Sequence, residues 1–277
     1  MNAGHRLGRW IAEHWVVVVA VLVLGYLVLP IAVVAGLSFN RPSTRLSYDF
    51  NEFTLDNWAS PCASGDMCDA VLRSVQIGFI ATVVSTVLGT LMAFALVRHR
   101  FRGRSAVNLL IFLPMATPEV VLGTSLLALF VAGGVPQGFW TVVIAHVMFC
   151  VSFVVVTVKA RLSGMDSRLE EAAMDLYASE WQAFRRVTLP LVLPGIVAAA
   201  LLAFSLSFDD FIITNFNSGT TITFPMYVWG ANQRGIPPQV NVIGTAMFAV
   251  ALLLVLFGTV RGRGAGTARG RGQRAGS

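Results

Sequence analysis

Long runs of apolar residues, separated by short polar segments, dominate the pattern of this chain. A helix of about 20 such residues, at 1.5 Å of rise per residue, matches the ~30 Å hydrocarbon thickness of a bilayer. The pattern therefore predicts an all-α integral membrane protein with six transmembrane helices, at residues 15–37, 71–97, 105–132, 139–160, 191–216 and 240–260. Basic residues precede the first run, as in a signal peptide. Its apolar core is longer than the roughly 7–15 residues of a signal peptide, so we predict a retained span.

The composition agrees with a chain that is surrounded by lipid. The sequence is 56% hydrophobic and 12% charged, whereas soluble domains carry about 25% charged residues. A soluble protein with one very large core is the alternative interpretation. The regular polar segments between the apolar runs argue against it.

The basic residues predict the orientation of the spans. Sixteen of the 20 Lys and Arg residues lie in the tail 1–14, in two alternate loops (98–104 and 159–186) and in the tail 261–277, and four lie elsewhere. Since Lys and Arg accumulate on the cytoplasmic side, both termini are predicted to be cytoplasmic. The Arg/Gly-rich tail 261–277 has the composition of a disordered segment that can contact anionic lipid.

The loop 38–70 is predicted to be external and is rich in acidic residues. It is either a solvated surface or a docking surface for an external partner, and its sequence fits both. Cys62 and Cys68 lie in this loop and could form a disulfide if the loop faces an oxidising compartment. The predicted permease core follows at 71–260.

No nucleotide-binding, catalytic or metal-binding motif is found in the sequence. Lys159 is the only lysine, and its neighbours do not form the G-x-x-x-x-G-K-[ST] loop that binds ATP phosphates. His99 and His146 are isolated along the chain. We therefore expect no bound cofactor and no enzyme activity, and if ATP drives the protein, another chain must bind it.

The cytoplasmic loop 161–190 has the pattern of two short amphipathic helices. Ser167 with Glu170, and Ser179 with Gln182, form two capping boxes, each of which predicts the start of a helix. Pro190 is expected to stop the second helix. The apolar faces are predicted to contain Leu169, Ala172, Ala173 and Leu176 in the first helix, and Trp181, Phe184 and Thr188 in the second. Helices that rest on the lipid surface are the alternative interpretation.

This loop resembles the EAA loop of bacterial ABC importer permeases. The family pattern is E-A-A, three residues, Gly, nine residues and I-x-L-P, and here Glu171-Ala172-Ala173 precedes Leu189-Pro190 at that spacing. Tyr177 stands where the family has Gly. A positive φ at that corner costs a tyrosine about 1–2 kcal/mol. Either the corner avoids that geometry, or the strain is borne for a contact of the ring.

The resemblance narrows to the spermidine/putrescine permease subfamily through residues 113–119, 138–140, 153–158 and 204–210. It implies a type I importer permease of the bacterial inner membrane that works by alternating access. It also implies a second, related permease, a cytoplasmic ATPase dimer that uses ATP and Mg²⁺, and an external substrate-binding protein. The segment that would dock on the ATPase comprises Glu171, Ala172, Ala173, Leu176, Tyr177, Leu189 and Pro190.

Three acidic residues lie within predicted spans, where a charge is costly and therefore points to function. Counted from the cytoplasmic end of each span, Glu119 lies about 21 Å deep and Asp210 about 28 Å deep, in the outer half of the bilayer. In a continuous helix, Ser207, Asp210, Thr214 and Asn217 form one polar stripe. Asp210 is therefore expected to line a cation pathway, with Ser207 and Thr214, while Asp209 pairs with a neighbouring helix.

Two other functions also fit some of these features. An ion-coupled secondary transporter would use the buried acids and would work without an ATPase, and a membrane anchor for a cytoplasmic enzyme would account for the loop alone. The carboxylates equally suit another small solute, a metal ion or protons. The substrate therefore stays open at this point.

Overall fold

The structure, a computed structural model, describes residues 3–44, 49–166 and 168–253, with side chains from residue 15 onward. Two short strands, twelve α-helices and one π-helical turn are found in these ranges. The strands are β1 (Asn40–Arg41) and β2 (Glu52–Phe53), and the π turn is Phe184–Thr188. The helices are α1 (Ala3–Leu37), α2 (Asp56–Ala59), α3 (Met67–Arg98), α4 (Arg104–Ala116), α5 (Glu119–Ala132), α6 (Phe139–Ser163), α7 (Arg168–Asp175), α8 (Glu180–Ala183), α9 (Leu189–Phe208), α10 (Ile212–Asn217), α11 (Phe224–Arg234) and α12 (Pro238–Leu253).

Four helical segments among the described residues are long and apolar enough to cross a membrane. They are Trp15–Leu37, Met67–Arg98, Phe139–Ser163 and Glu180–Phe208. Helices α4 and α5 together form a fifth apolar segment that is bent by 107°. Helix α12 is apolar but shorter, and the rest of the predicted span 240–260 lies outside the described residues, as does the tail 261–277. The expectation of an all-α membrane protein is confirmed.

Two predicted spans are broken rather than continuous. The span predicted at 105–132 is interrupted between Ala116 and Glu119. The span predicted at 191–216 ends at Phe208 and resumes as α10 at Ile212. The prediction of one continuous helix over 191–216 was therefore wrong, because hydrophobicity reports burial but not the continuity of the backbone.

The chain divides into two compact units. The first takes its described residues from Met1–Cys68 and Gly230–Ser277. Its loop is folded: Asn40 pairs with Phe53 across β1 and β2, and the amide of the buried Asn57 donates to the carbonyl oxygens of Ser38 and Asn40 at 3.2 and 2.9 Å. A disulfide joins Cys62 to Cys68, with 5.5 Å between their Cα atoms. The described residues of the acidic loop, 38–44 and 49–70, therefore form an ordered surface rather than an irregular connection.

The second unit, Asp69–Trp229, is built around α6. This helix is apolar on all sides, as expected of a helix with neighbours all round. It packs against α9, α4, α10 and α5, and Val154, Val155 and Val158 are almost completely buried. Helix α3 approaches α6 closely at Gly89, where a Cβ atom would lie 2.7 Å from Cγ1 of Val154. The core therefore holds the ends of the broken spans in fixed positions.

Candidate functional site

The first helix break lies at Thr117 and Pro118. Thr117 is extended (φ −84°, ψ 132°) because the ring of a following proline disfavours the helical conformation. Pro118 is also extended (φ −56°, ψ 134°), and α5 begins at Glu119. The side chain of Glu119 is exposed on this chain. The break therefore presents a carboxylate at the first residue of a helix.

The second break separates α9 from α10 and contains Asp209 and Asp210. Helix α10 packs directly on α5, because Gly123 leaves room for it. A Cβ atom on Gly123 would lie 2.9 Å from the ring of Phe216. The side-chain amide of Asn217 (Nδ2) also donates to the carbonyl oxygen of Gly123 at 3.2 Å. This packing brings the two breaks together, and Glu119 lies within electrostatic range of both aspartates.

Asp210 is buried, with 8% of its surface exposed. Its Oδ2 atom accepts hydrogen bonds from the backbone N–H of Thr214 at 2.7 Å and from the hydroxyl of Thr214 at 2.8 Å. Nε2 of His146 lies 3.2 Å from the same oxygen. The carboxylate thus fixes the start of α10 and ties it to α6. The described residues therefore include hydrogen-bond partners for this carboxylate, and its role is to hold the structure together.

His146 is the centre of this buried cluster, although it is isolated along the sequence. Its Nδ1 atom lies 2.6 Å from Oγ of Ser207, and its Nε2 atom lies 2.9 Å from Oγ1 of Thr214. The imidazole therefore bridges α6, the end of α9 and the start of α10. No pattern in the sequence around residue 146 indicates this, since its partners lie 61 to 68 residues further along the chain.

The orientations expected for the two aspartates are reversed within this chain. Asp210 was expected to line an open pathway and Asp209 to pack, but Asp210 is buried and Asp209 is exposed. The expectation assumed helical periodicity through residue 210, whereas α9 ends at Phe208. The exposed carboxylates at the two breaks are therefore Glu119 and Asp209, which we call the acidic break pair. Ser207 and Thr214 are buried beside Asp210.

The loop 161–190 carries the second candidate surface, on α7 and the residues that follow it. Its predicted apolar face is not covered by this chain: Leu169 is 46% and Leu176 is 82% exposed. Glu171 and Ala172 are also exposed, and Ala173 is half-buried. Ser167 lies outside the described residues, so the first capping box stays a prediction. A short helix with an uncovered apolar face is suited to bind in a groove of another protein.

Tyr177 ends α7 in a left-handed conformation, with φ +64°. The backbone N–H of Ala178 donates to the carbonyl oxygen of Ala173, and that of Tyr177 donates to the carbonyl oxygen of Met174. These two bonds define a Schellman motif, in which the left-handed residue is usually glycine. The left-handed geometry that a glycine would favour is therefore present, at a cost of about 1–2 kcal/mol for a tyrosine.

The second capping box is present at the start of α8. The hydroxyl oxygen of Ser179 accepts from the backbone N–H of Gln182 at 3.3 Å, and the side chain of Gln182 accepts from the backbone N–H of Ser179 at 3.1 Å. The helix then continues through Leu189 and Pro190 into α9. The prediction that Pro190 stops the helix was wrong.

The π turn explains why the helix survives this proline. The backbone N–H of Leu189 donates to the carbonyl oxygen of Phe184, five residues earlier. A wider turn of this kind relieves the clash between a proline ring and the preceding turn. The helical segment Glu180–Phe208 therefore connects the loop that contains α7 directly to the break at Asp209.

An ion pair joins α7 to the end of α3. The guanidinium of Arg98 contacts the carboxylate of Glu170, which also accepts from the hydroxyl of Thr188 in the π turn. The guanidinium lies 3.4 Å from that hydroxyl as well. This three-residue contact, which we call the loop tie, connects α7 to α3 and to the helical segment Glu180–Phe208. The sequence indicates Glu170 only as a member of a capping box, because Arg98 lies 72 residues earlier in the chain.

No group of three or more His, Cys, Asp or Glu side chains in the described part of the chain is arranged to hold a metal ion. The exposed groups that remain as candidates are the acidic break pair and the surface of α7.

Comparison with known proteins gives consistent matches. Residues 85–263 match the family described as "Binding-protein-dependent transport system inner membrane component". The spermidine/putrescine transport system permease protein PotC of Haemophilus influenzae is 40% identical over 237 residues, which cover 85% of this chain and 91% of that protein. The putrescine transport system permease protein PotI of Escherichia coli K12 is 36% identical over 243 residues, covering 85% and 86%.

Solved structures share the fold at lower identity. A bacterial ABC transporter that imports the acidic polysaccharide alginate aligns with a TM-score of 0.67 at 16% identity, over 93% of this chain and 98% of that chain. The MetNI methionine ABC transporter aligns with a TM-score of 0.56 at 17% identity, over 70% and 93%. The fold is therefore that of a type I ABC importer permease.

Proposed function

Because this chain belongs to the family of binding-protein-dependent transport system inner membrane components, we propose that it is the permease subunit through which an ATP-driven importer carries polyamines into a bacterial cell. A permease of this family is a transport component and not an enzyme. The relatives named for spermidine and putrescine transport cover most of this chain. Spermidine and putrescine are therefore the substrates to test first.

The observation that carries the proposal is the acidic break pair. Glu119 and Asp209 are exposed carboxylates at the broken ends of two apolar segments. Ionised carboxylates form charge-assisted hydrogen bonds with protonated amines and thereby replace part of the hydration that the amines lose. Asp209 also follows the last residue of α9, where the helix dipole places partial negative charge. Both features favour an organic cation over a neutral or anionic solute.

Asp210, Ser207 and Thr214 support this site in a different way. Their polar atoms are engaged with His146, so we assign them to holding the break in position. A cation in transit would interact with Asp209 and Glu119, and the buried cluster would keep the chain at Asp209 from moving when the charge arrives.

The uncovered surface of α7 supports an ATP-driven mechanism. This chain has no ATP-binding loop, so ATP and Mg²⁺ would be used by a cytoplasmic ATPase dimer that docks on the segment Glu171–Tyr177 together with Leu189 and Pro190. A second, homologous permease would complete the pathway, and an external binding protein would deliver the substrate. The related alginate transporter is known in complex with a substrate-bound periplasmic protein.

The orientation of the chain in the membrane follows from the proposed docking on an ATPase. Docking on a cytoplasmic ATPase places α7 inside, and with it both termini. The loop 38–70 then faces the oxidising side of the inner membrane, which agrees with the Cys62–Cys68 disulfide.

The proposal is tested by uptake into proteoliposomes that contain this chain, its partner permease, the ATPase and the binding protein. Labelled spermidine and putrescine are compared, with ATP or a non-hydrolysable analogue inside. We expect uptake only with hydrolysable ATP. Glu119→Gln and Asp209→Asn are each expected to lower uptake about tenfold, since an ionic hydrogen bond contributes about 1.5–3 kcal/mol.

Asp69→Asn is the matched control, because it removes the same charge from an exposed residue in the first turn of α3. Uptake that is driven by an ion gradient without the ATPase would contradict the importer. Uptake unchanged in both break variants would remove Glu119 and Asp209 from the pathway.

A further inference from the structure

Tyr177 combines two properties that are rarely found together. It is the one non-glycine residue with a positive φ among the described residues, and its side chain is 98% exposed. A left-handed tyrosine is strained, and a strained residue is normally retained because its surroundings stabilise it. Within this chain the ring has almost no surroundings. The two hydrogen bonds of the Schellman motif hold the backbone of Tyr177, whereas its ring, which a glycine would lack, is left without comparable packing among the described residues.

The residues around Tyr177 have the arrangement of a protein-binding hot spot. Leu176 is 82% exposed beside the ring, so the corner between α7 and α8 ends in an apolar tip of two residues. Asp175 directly precedes this tip, Glu180 follows it by three residues, and both are exposed. An apolar centre with a charged rim is typical of binding surfaces, and tyrosine is enriched among the residues that contribute most to affinity.

We propose that Tyr177 is the residue by which this permease selects its own ATPase: its ring inserts into an apolar pocket with a basic rim on that subunit. The inference rests on the proposed ATP-driven function and adds a specificity determinant to it. The Schellman motif holds the ring at the outermost point of the corner. A glycine at this position would keep the backbone geometry and lose the contact.

The charges around the tip distinguish a protein pocket from the lipid surface. The cytoplasmic face of the membrane is negatively charged and attracts segments rich in Lys and Arg. The charged residues nearest to Leu176 and Tyr177 along the chain, Asp175 and Glu180, are instead both acidic and exposed, and anionic lipid would repel them. A basic rim on a protein partner is therefore the complementary surface.

The first experiment separates the backbone strain from the contact. Permease heterodimers that carry wild-type chain, Tyr177→Gly or Tyr177→Phe are placed in nanodiscs and titrated with the purified ATPase. Tyr177→Gly is expected to weaken ATPase binding by about tenfold or more, while the Tm of the free permease stays the same or rises because the strain is removed. Tyr177→Phe keeps the ring and is expected to bind within about threefold of wild type.

A control distinguishes failure of this inference from failure of the proposed function. Ala172→Arg places a large cation on the exposed face of α7 and is expected to abolish ATPase binding. If Ala172→Arg abolishes binding while Tyr177→Gly binds like wild type, the selection by Tyr177 is wrong and the docking surface stands. If both variants bind like wild type, the docking on α7 is wrong as well.

A second experiment tests the lipid surface as the alternative environment. Ala178→Cys leaves Tyr177 in place and can be labelled selectively with a polarity-sensitive dye, because Cys62 and Cys68 form a disulfide and Cys150 is buried. We expect the dye to report water in nanodiscs of anionic lipid and an apolar environment only after the ATPase is added. An apolar signal before the ATPase is added would overturn the proposal.

Discussion

The Nε2 atom of His146 lies 3.2 Å from Oδ2 of Asp210, and the two side chains are 2% and 3% exposed. The contact joins the middle of α6 to the break between α9 and α10. Because of this contact, the two neighbouring aspartates differ in exposure: the side chain of Asp210 is buried in the core, and that of Asp209 is exposed. The position of the exposed acid is therefore set by a buried histidine.

Removal of His146 is expected to destabilise the protein. His146→Ala leaves the buried Asp210 carboxylate without one of its partners, and loss of one member of a buried pair costs about 3–5 kcal/mol. Thermal unfolding of the purified protein in one detergent measures the effect. His99→Ala is the control, because His99 is exposed at the end of α3. An equal Tm for His146→Ala and His99→Ala would contradict the structural assignment of the cluster.

Thr214 and His146 are expected to act as one unit. The hydroxyl of Thr214 donates to Asp210 and lies 2.9 Å from Nε2 of His146. Thr214→Val keeps the shape and removes the hydroxyl, with an expected cost of about 1–3 kcal/mol. In a double-mutant cycle with His146→Ala, the double variant is expected to lose less unfolding free energy than the two single variants lose together, by about 0.5 kcal/mol or more. Strictly additive losses would show that the two side chains stabilise the break independently.

The loop tie is expected to affect energy coupling more than stability. Arg98 and Glu170 are partly exposed, and such pairs contribute only about 0–1 kcal/mol to folding. Arg98→Glu breaks the connection between α7 and the membrane helices, so we expect ATP hydrolysis with less substrate moved per ATP. The ratio of uptake to hydrolysis in proteoliposomes measures this coupling.

The charge-reversed pair provides the rescue for the loop tie. Arg98→Glu combined with Glu170→Arg restores the attraction and is expected to recover at least roughly half of the coupling ratio. Arg100→Glu changes the same charge on an exposed neighbour and serves as the control. If the reversed pair transports no better than Arg98→Glu alone, the ion pair does not transmit the motion.

The disulfide gives a test of both stability and orientation. Joining residues six apart in sequence is expected to stabilise the loop by about 2 kcal/mol in the chain-entropy view. Cys62→Ser combined with Cys68→Ser is therefore expected to lower the Tm, and reductant is expected to lower that of wild type to the same value. A Tm of the double variant equal to that of oxidised wild type would contradict this contribution.

The side of the membrane is read from thiol labelling in whole cells. A reductant that cannot cross the inner membrane is expected to free Cys62 and Cys68 for an equally impermeant maleimide. The buried Cys150 is not expected to react. Labelling that requires the inner membrane to be broken would place the loop on the cytoplasmic side and reverse the proposed orientation.

Local rules predicted the features that depend on neighbouring residues. The proline after Thr117 disfavours the helical conformation at that residue, and the side chains of Ser179 and Gln182 can reach each other's backbone amides in any setting. The cost of a left-handed residue at position 177 follows from the Cβ atom alone. Hydrophobic length predicted the membrane segments for the same reason, because lipid thickness acts on each helix separately. Because these interactions act between residues that are close in sequence, they can be predicted from the sequence alone.

Tertiary structure decided which side chains face each other. Whether Asp209 or Asp210 is exposed depends on where α9 ends, and α9 ends where α10 packs on α5 over Gly123. The helix that begins with α8 continues through Pro190 because the backbone N–H of Leu189 donates to the carbonyl oxygen of Phe184 in the π turn. Glu170 pairs with Arg98 because the fold brings α7 to the end of α3. The sequence by itself determined a membrane protein with acidic residues inside its apolar segments and an amphipathic loop between two of them. Only the packing of distant helices, which no local periodicity encodes, determined that Glu119 and Asp209 are the exposed acids and that His146 holds Asp210.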